Sequence, residues 1–224
     1  MTDFHIMIEP GGAGQSFGIS SALHYAYLAG IRFAGLVVAS DGSNFSQIAG
    51  VAAQVRRLSL FANVEAWAGV ELCHIPPALL PDAVREAREA GAQFVLVHGE
   101  SITDQVEQGT NFAAIEAGAD IVTHPGLVDE EAATFAAEKG VAFEFTSCAR
   151  HAFANAHTAA MAMKHGVPLV RGSNAGKAEE LTTRAFWPMI VKGAEVGSSS
   201  KNQQNIMEYL KKSEESLIRR LMRA

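Results

Sequence analysis

Eight histidines and two cysteines are spread over 224 residues, and several of them directly follow short apolar runs. Glu71 ends one such run and is followed by Cys73 and His74. His98 ends a second, ahead of Gly99-Glu100, and His124 a third, ahead of Pro125-Gly126. Imidazoles with one carboxylate form a donor set for a single divalent ion of the zinc, iron or manganese type. His5, inside the first apolar run, is either a further ligand or a core residue. The run ending at Phe145 leads into Thr146-Ser147-Cys148, then Arg150, His151, Asn155 and His157. That patch can move protons and meet negative charge. His24 and His165 lie in helical patterns and read as ordinary helix residues.

A glycine loop offers different chemistry. Gly12-Ala13-Gly14 and Gly18 follow the first apolar run, and Asp41 follows the second. This is close to a dinucleotide-binding fingerprint, whose carboxylate would hold a ribose hydroxyl. The spacing is G-x-G-x-x-x-G rather than G-x-G-x-x-G, and Pro10 intervenes, which favours a plain turn of small residues. Its backbone N–H groups could still bind a phosphate.

These groups need elements that bring them together. Strands are expected at Phe4–Ile8, Phe33–Ala39, Val64–Val70, Phe94–Val97, Asp120–Val122, Val141–Phe145 and Leu169–Arg171. Helices are expected at Gly18–Ala29, Ser46–Phe61, Pro81–Ala90, Phe112–Ala117, Glu130–Lys139, Phe153–His165, Lys177–Val191 and Asn202–Met222. Leu79, Ala83, Val84, Ala87 and Ala90 repeat at the helical period, with Gly91 in the C-cap position. The acidic stretch Asp129-Glu130-Glu131 suits a first helical turn, where negative charge meets the macrodipole. Alternating strands and helices, with near-continuous apolar strands, indicate an α/β fold with a parallel sheet. Such folds collect functional groups at the C-terminal ends of their strands. Glu71, His98 and His124 all fall there.

The strand ends also carry a resemblance. Val70-Glu71-Leu72-Cys73-His74-Ile75-Pro76-Pro77, Val97-His98-Gly99-Glu100, Gly109-Thr110-Asn111 and Thr123-His124-Pro125-Gly126 resemble the polymerase-and-histidinol-phosphatase (PHP) family, in its histidinol-phosphatase-like branch. The resemblance continues through Glu144-Phe145-Thr146-Ser147 and His151…Asn155-Ala156-His157. It covers residues 64–175 well and the first 60 weakly. It implies a distorted seven-stranded (β/α), TIM-like barrel over residues 1–196. Residues 197–224 would add a short linker and a C-terminal helix, packed on the barrel or on a second copy of the chain. It also implies strand ends that hold up to three metal ions and activate water against a phosphate ester.

Carried over by position, Glu71, His98 and His124 form a ligand subset sufficient for one divalent ion (Zn, Fe or Mn). The rest of the family pattern is broken. Its opening His-x-His reads His5-Ile6-Met7, its Asp-His reads Ser40-Asp41, and its closing Asp-x-His reads Asn174-Ala175-Gly176. The expected function is a metal-dependent phosphoesterase acting on a small phosphorylated metabolite with a reduced metal site. His151 or His157 would act as general acid, and Arg150 with the Gly12 and Gly14 amides would neutralise phosphate charge. Asp41, His74, Glu100, Asn111, Asn155, Ser173 and Asn174 would line the substrate pocket. The alternative is a non-catalytic or repurposed barrel that binds an anionic small molecule or a partner protein.

Composition narrows the partners. Eighteen basic against 24 acidic residues give a net charge of −6, which argues against a polyanion binder held by excess positive charge. No apolar run approaches membrane-spanning length, and the first residues lack a secretory pattern. Two distant cysteines, Cys73 and Cys148, fit a reducing cytoplasm. The expected partner is a small phosphorylated or anionic molecule. Nucleic acid and membrane are not expected, and the C-terminal helix is a candidate contact between copies.

Overall fold

The computed structural model describes residues 1–11, 16–194 and 200–223. Strands β1 (Thr2–Met7), β2 (Phe33–Ser40), β3 (Glu65–Leu72), β4 (Phe94–His98), β5 (Ile121–Thr123), β6 (Ala142–Thr146) and β7 (Leu169–Gly172) form one sheet in chain order. All six neighbouring pairs are parallel. A bridge between Ile6 and Ala175, with Met7 N–H donating to the Ala175 carbonyl at 2.9 Å, brings the two edges together. The result is a nearly closed, TIM-like barrel, as the alternating pattern predicts.

Helices α1 (Ile19–Leu28), α2 (Ile48–Ala62), α3 (Leu80–Glu89), α4 (Thr110–Glu116), α5 (Glu130–Lys139) and α6 (Asn155–His165) follow β1 to β6 in turn. Their starts and stops follow local chemistry. The Asp129 carboxylate accepts the Ala132 N–H at 2.8 Å and caps α5, while Gly140 and Gly166 end α5 and α6 in the left-handed conformation. The helix expected over Lys177–Val191 is broken. Ala178–Glu180 makes one 3-10 turn, the chain extends at Leu181, and α7 begins only at Trp187 (Trp187–Gly193). Pro188 has no N–H to donate and is tolerated only in a first turn, so it sets where α7 starts.

The barrel interior is apolar at its lower end, where Phe4, Val37, Trp67, Phe94, Ile121 and Val170 pack together. Phe94 fits because β2 and β3 present glycines to it. A Cβ on Gly35 or Gly69 would lie 2.6 or 2.5 Å from the Phe94 ring. The floor is finished by α8 (Ser200–Leu221), whose Leu217, Ile218 and Leu221 join the same cluster. The apolar face once expected to contact either the barrel or a second copy is therefore spent on this chain's own barrel. The expected linker residues 197–199 lie outside the described residues. Among the described residues no helix is long and apolar enough to cross a membrane.

Two ion pairs fasten α8. Glu214, buried, accepts from Nε of Arg171 on β7 at 2.6 Å, and Arg220 reaches Asp120 below β5 at 2.8 Å. Removing one partner of a buried pair leaves the other charge uncompensated. Glu214→Ala should cost about 3–5 kcal/mol of stability, read as a lower midpoint in urea unfolding. An unchanged midpoint would show that the pair does not hold the helix to the barrel.

Candidate metal centre

Four side chains meet at the upper end of the barrel, all buried: His5 (β1), Glu71 (β3), His124 (after β5) and Glu144 (β6). The register between β1 and β2 slips between Asp3 and Ile6. Across that irregularity two consecutive residues serve the interior: Phe4 joins the apolar floor, and His5 enters the polar cluster. His124 and Asn174 both adopt left-handed backbone, with φ of 48° and 52°. Such strain in non-glycine residues needs support from the surrounding structure and concentrates at functional sites. Here it brings the Asn174 amide to 3.4 Å from Nε2 of His124.

Nδ1 of His5 donates to Oε1 of Glu144 at 3.0 Å, which leaves Nε2 facing Oε2 of Glu71 at 3.2 Å. Nδ1 of His124 lies 3.0 Å from Oε2 of Glu144. Both of these last contacts lack hydrogen-bond geometry, so Nε2 of His5 and Nδ1 of His124 are buried without partners. Donor atoms of His5, Glu71 and His124 all lie within 4.8 Å of one another. Close nitrogens and carboxylate oxygens that converge without bonding each other fit a cation between them. Glu144 contacts both imidazoles, as a carboxylate that orients metal-binding histidines does.

Burial and charge oppose each other in this cluster. Burial pulls the His5 imidazole down, but the Glu71 and Glu144 carboxylates outweigh it and hold its pKa well above the usual histidine value. Burial pushes Glu71 up, yet His5 and a hydrogen bond from His98 hold it well below the carboxylate range. Glu144 is also lowered, with burial overcome by His124 and His5. Burial dominates at His124 and lowers it to about 4, leaving a neutral ring at pH 7. That ring stacks on His151, with centroids 3.8 Å apart.

The residues expected from the sequence separate into groups. Glu71, His98, His124 and His5 do meet, but they divide: Glu71 is shared by His5 and His124 on one side and by Cys73 and His98 on the other. His151 joins the site and bonds Ser101 Oγ at 2.8 Å, and Arg150 pairs with Asp104 above it. Asn174 and Ser173 line a cleft of about 880 Å³ beside the site, with Arg150, Leu181, Phe186 and Met189. Ser173 is chiefly a brace there, since its hydroxyl and N–H bond the His5 carbonyl and the Asp3 carboxylate.

Other expected pocket residues support the scaffold instead. His157 does not reach the cluster: its Nε2 donates to the Val128 carbonyl at 2.6 Å. Glu100 accepts the Gly109 and Asn111 N–H groups at the start of α4. Asn111 ties Glu100 to Pro125, and Asn155 bonds both N–H and C=O of Thr146. Asp41 is exposed and accepts the Ser43 N–H within its own turn. His74 lines a small pocket together with Pro76, Leu80 and His98. Gly12 and Gly14 lie outside the described residues.

Sequence reasoning missed Glu144 and Asp104 as site residues. Glu144 left a signal, a carboxylate in the middle of the otherwise apolar run Val141–Phe145. Asp104 left none, because it lies in a polar loop that folds over His98, where Oδ2 meets Nε2 at 3.2 Å. Gly172 is a third contributor. A Cβ there would sit 1.9 Å from Oε1 of Glu144 and 2.8 Å from Cβ of His5. Gly172→Ala should therefore displace both and weaken metal affinity about 10–100-fold, the usual effect of disturbing an orienting group. Metal titration would measure it, and wild-type affinity in the variant would contradict the assignment of Glu144.

No family model matches the sequence. An uncharacterized protein of Methanocaldococcus jannaschii is 34% identical over 145 residues, 64% of this chain and 66% of that protein, just under two thirds of its length. Among solved structures, a chain in the cryo-EM structure of an archaeal ribonuclease P with mature tRNA matches with TM-score 0.67 and 17% identity. That match covers 95% of this chain and 89% of the other. The adenine deaminase of Arthrobacter aurescens matches with TM-score 0.52 and 10% identity, over 87% and 77%. These likenesses show the barrel fold. They also overturn the exclusion of nucleic acid, since the same fold occurs in an assembly holding tRNA. Net charge sums both signs over a whole surface, whereas phosphate contacts are made locally, so −6 was too coarse a ground.

Proposed function

We propose that the protein is a metal-dependent hydrolase of PHP type that cleaves small phosphate esters with a reduced metal site. The carrying observation is the buried, unpartnered Nε2 of His5 facing Glu71, with donor atoms of His5, Glu71 and His124 all within 4.8 Å of one another. His5, Glu71 and His124 would hold a divalent ion, with Glu144 orienting the two imidazoles. Such an ion supplies Lewis acidity to a phosphoryl oxygen and lowers the pKa of water. The likeness to an adenine deaminase supports hydrolytic use of a barrel mouth, as fold-level analogy.

The remaining steps belong to the chain. Burial holds His151 below the usual histidine pKa, so its ring is neutral at pH 7 and can take a proton. Its Nδ1 is engaged by Ser101, and Nε2, 3.6 Å from Oδ2 of Asp104, is the place to hold that proton. Asp104 stabilises the resulting imidazolium, which then protonates the leaving oxygen. Arg150 stands exposed at the cleft, where it can meet phosphate charge. The apolar wall of Leu181, Phe186 and Met189 suits the organic part of a small ester.

The test is metal analysis of protein purified without chelator, followed by hydrolysis of p-nitrophenyl phosphate with added zinc, manganese or iron. Bound metal and metal-dependent turnover are expected. Metal-free protein without turnover at any added metal would overturn the proposal. A second reading, a repurposed barrel that binds an anionic ligand or nucleic acid, is favoured by Met7, Asn174 and Gly176 where the family carries ligands. In the structure Gly176 has no side chain to ligate with: its N–H donates to Glu180 and its carbonyl accepts the Phe17 N–H. Tight tRNA binding by metal-free, inactive protein would support that reading.

His151→Ala should lower turnover about 10²–10⁴-fold, the usual scale of a general acid–base group, with metal content unchanged. Elemental analysis beside the rate separates this from loss of the centre. A rate equal to wild type would remove His151 from proton transfer.

A further inference from the structure

We infer that Cys73 is a metal ligand: with Glu71 and His98 it forms a second cation position that shares Glu71 with the His5–Glu71–His124 position. The inference deepens the reading above and rests on it. The two oxygens of Glu71 point to different partners. Oε2 faces the unpartnered Nε2 of His5 at 3.2 Å, and Oε1 faces Nδ1 of His98 at 3.4 Å. A carboxylate placed between two imidazoles from different strands is arranged to bridge two ions. On the His98 side the third donor is the Cys73 sulfur, and donor atoms of Glu71, Cys73 and His98 all lie within 4.8 Å of one another.

The surroundings fit this assignment. Asp104 contacts Nε2 of His98 at 3.2 Å and so fixes the ring with Nδ1 turned toward Glu71. Cys73 is held at the end of β3, where its N–H donates to the Ser40 carbonyl at 2.9 Å. His74 follows with φ of 57°, a sharp left-handed turn that takes the chain away from the site directly after the sulfur. The thiol makes only a long contact of 3.7 Å to the Glu71 carbonyl. Sulfur, nitrogen and carboxylate oxygen together select a thiophilic ion such as zinc or cobalt over magnesium or calcium. The second position therefore differs in chemistry from the first, which has no sulfur.

The experiment loads wild-type protein and Cys73→Ser with Co(II) and measures metal per chain and the near-ultraviolet absorption. About two ions per chain and a thiolate-to-cobalt charge-transfer band are expected in the wild type. The variant should hold about one ion and lose the band. Alkylation of the wild type by iodoacetamide, read by peptide mass spectrometry, gives a second measure that needs no variant. Metal should protect Cys73 and leave Cys148 labelled. About one ion in both proteins, with no band and no protection, would overturn the second position and leave the first intact. No bound ion in the wild type would overturn both.

Discussion

Glu71→Gln is expected to abolish metal-dependent hydrolysis, by about 10³-fold or more, in a protein that still folds. The substitution keeps the size of the side chain and removes its charge. It puts an amide nitrogen in place of one of the two carboxylate oxygens, of which Oε2 faces His5 at 3.2 Å and Oε1 faces His98 at 3.4 Å. An amide NH₂ donates and does not ligate, so the charged carboxylate that both candidate positions share is gone. With the amide oxygen held by Thr123, the His5 side loses its oxygen altogether. Lewis-acid stabilisation of a phosphoryl transition state is worth several kcal/mol, and each 1.36 kcal/mol is tenfold in rate. The fold should persist because Glu71 lies above the apolar floor. Its hydrogen bond from Thr123 Oγ1, at 2.6 Å, can be kept by the amide oxygen. Initial rates, metal content and circular dichroism of one preparation decide the matter. More than a tenth of wild-type activity in a metal-free variant would place the chemistry elsewhere.

The barrel was legible because each strand is a short apolar run followed by polar residues, with glycine closing many helices. Glu130–Lys139 has the boundaries its pattern predicts, since a capping aspartate and a left-handed glycine both mark it. The segment 177–191 departs from its periodicity because Pro188, with no N–H to donate, fits only a first helical turn and so determines where the helix can begin. Strand-end position puts Glu71, His98 and His124 at one end of the barrel, as the structure has them, but it does not say which of their donor atoms meet. That depends on side-chain direction, and Glu71 turns its two oxygens opposite ways. His5, read as either a ligand or a core residue, lies at the centre of the cluster, through a register slip that no single-sequence pattern marks. Asn111, Asn155 and Glu100 illustrate the converse. Polar residues near strand ends also satisfy the backbone of long loops, and the sequence does not distinguish that work from binding.

The buried charges make a second large effect, a reversal of pH dependence on metal binding. In metal-free protein His5 and His98 have raised pKa values, held up against burial by carboxylates. Their contribution to stability is fully present below the unfolded histidine value of about 6.5 and is lost as pH rises through the folded values. Glu71 and Glu144, both lowered, act at the other end, where their contribution is lost as pH falls below about 4.5. Between these limits the lowered histidines, His124 and His151, oppose Asp3. His124, lowered to about 4, favours the fold as pH rises, while Asp3, pushed up to about 6 by burial, disfavours it. Metal-free protein should thus melt at its highest temperature between about pH 4.5 and 6.5, and at lower temperatures on both sides. Metal changes the alkaline limb. Its ligands must be deprotonated, so a cation displaces the protons that His5 and His98 hold, and affinity rises with pH where the free protein weakens. Thermal unfolding from pH 5 to 9, with and without zinc, should show falling midpoints without metal above pH 6.5 and no such fall with it. Calorimetric titration in two buffers of different ionisation enthalpy should show proton release on binding. Parallel melting curves with and without metal, and no released proton, would mean that the cation does not sit among these histidines.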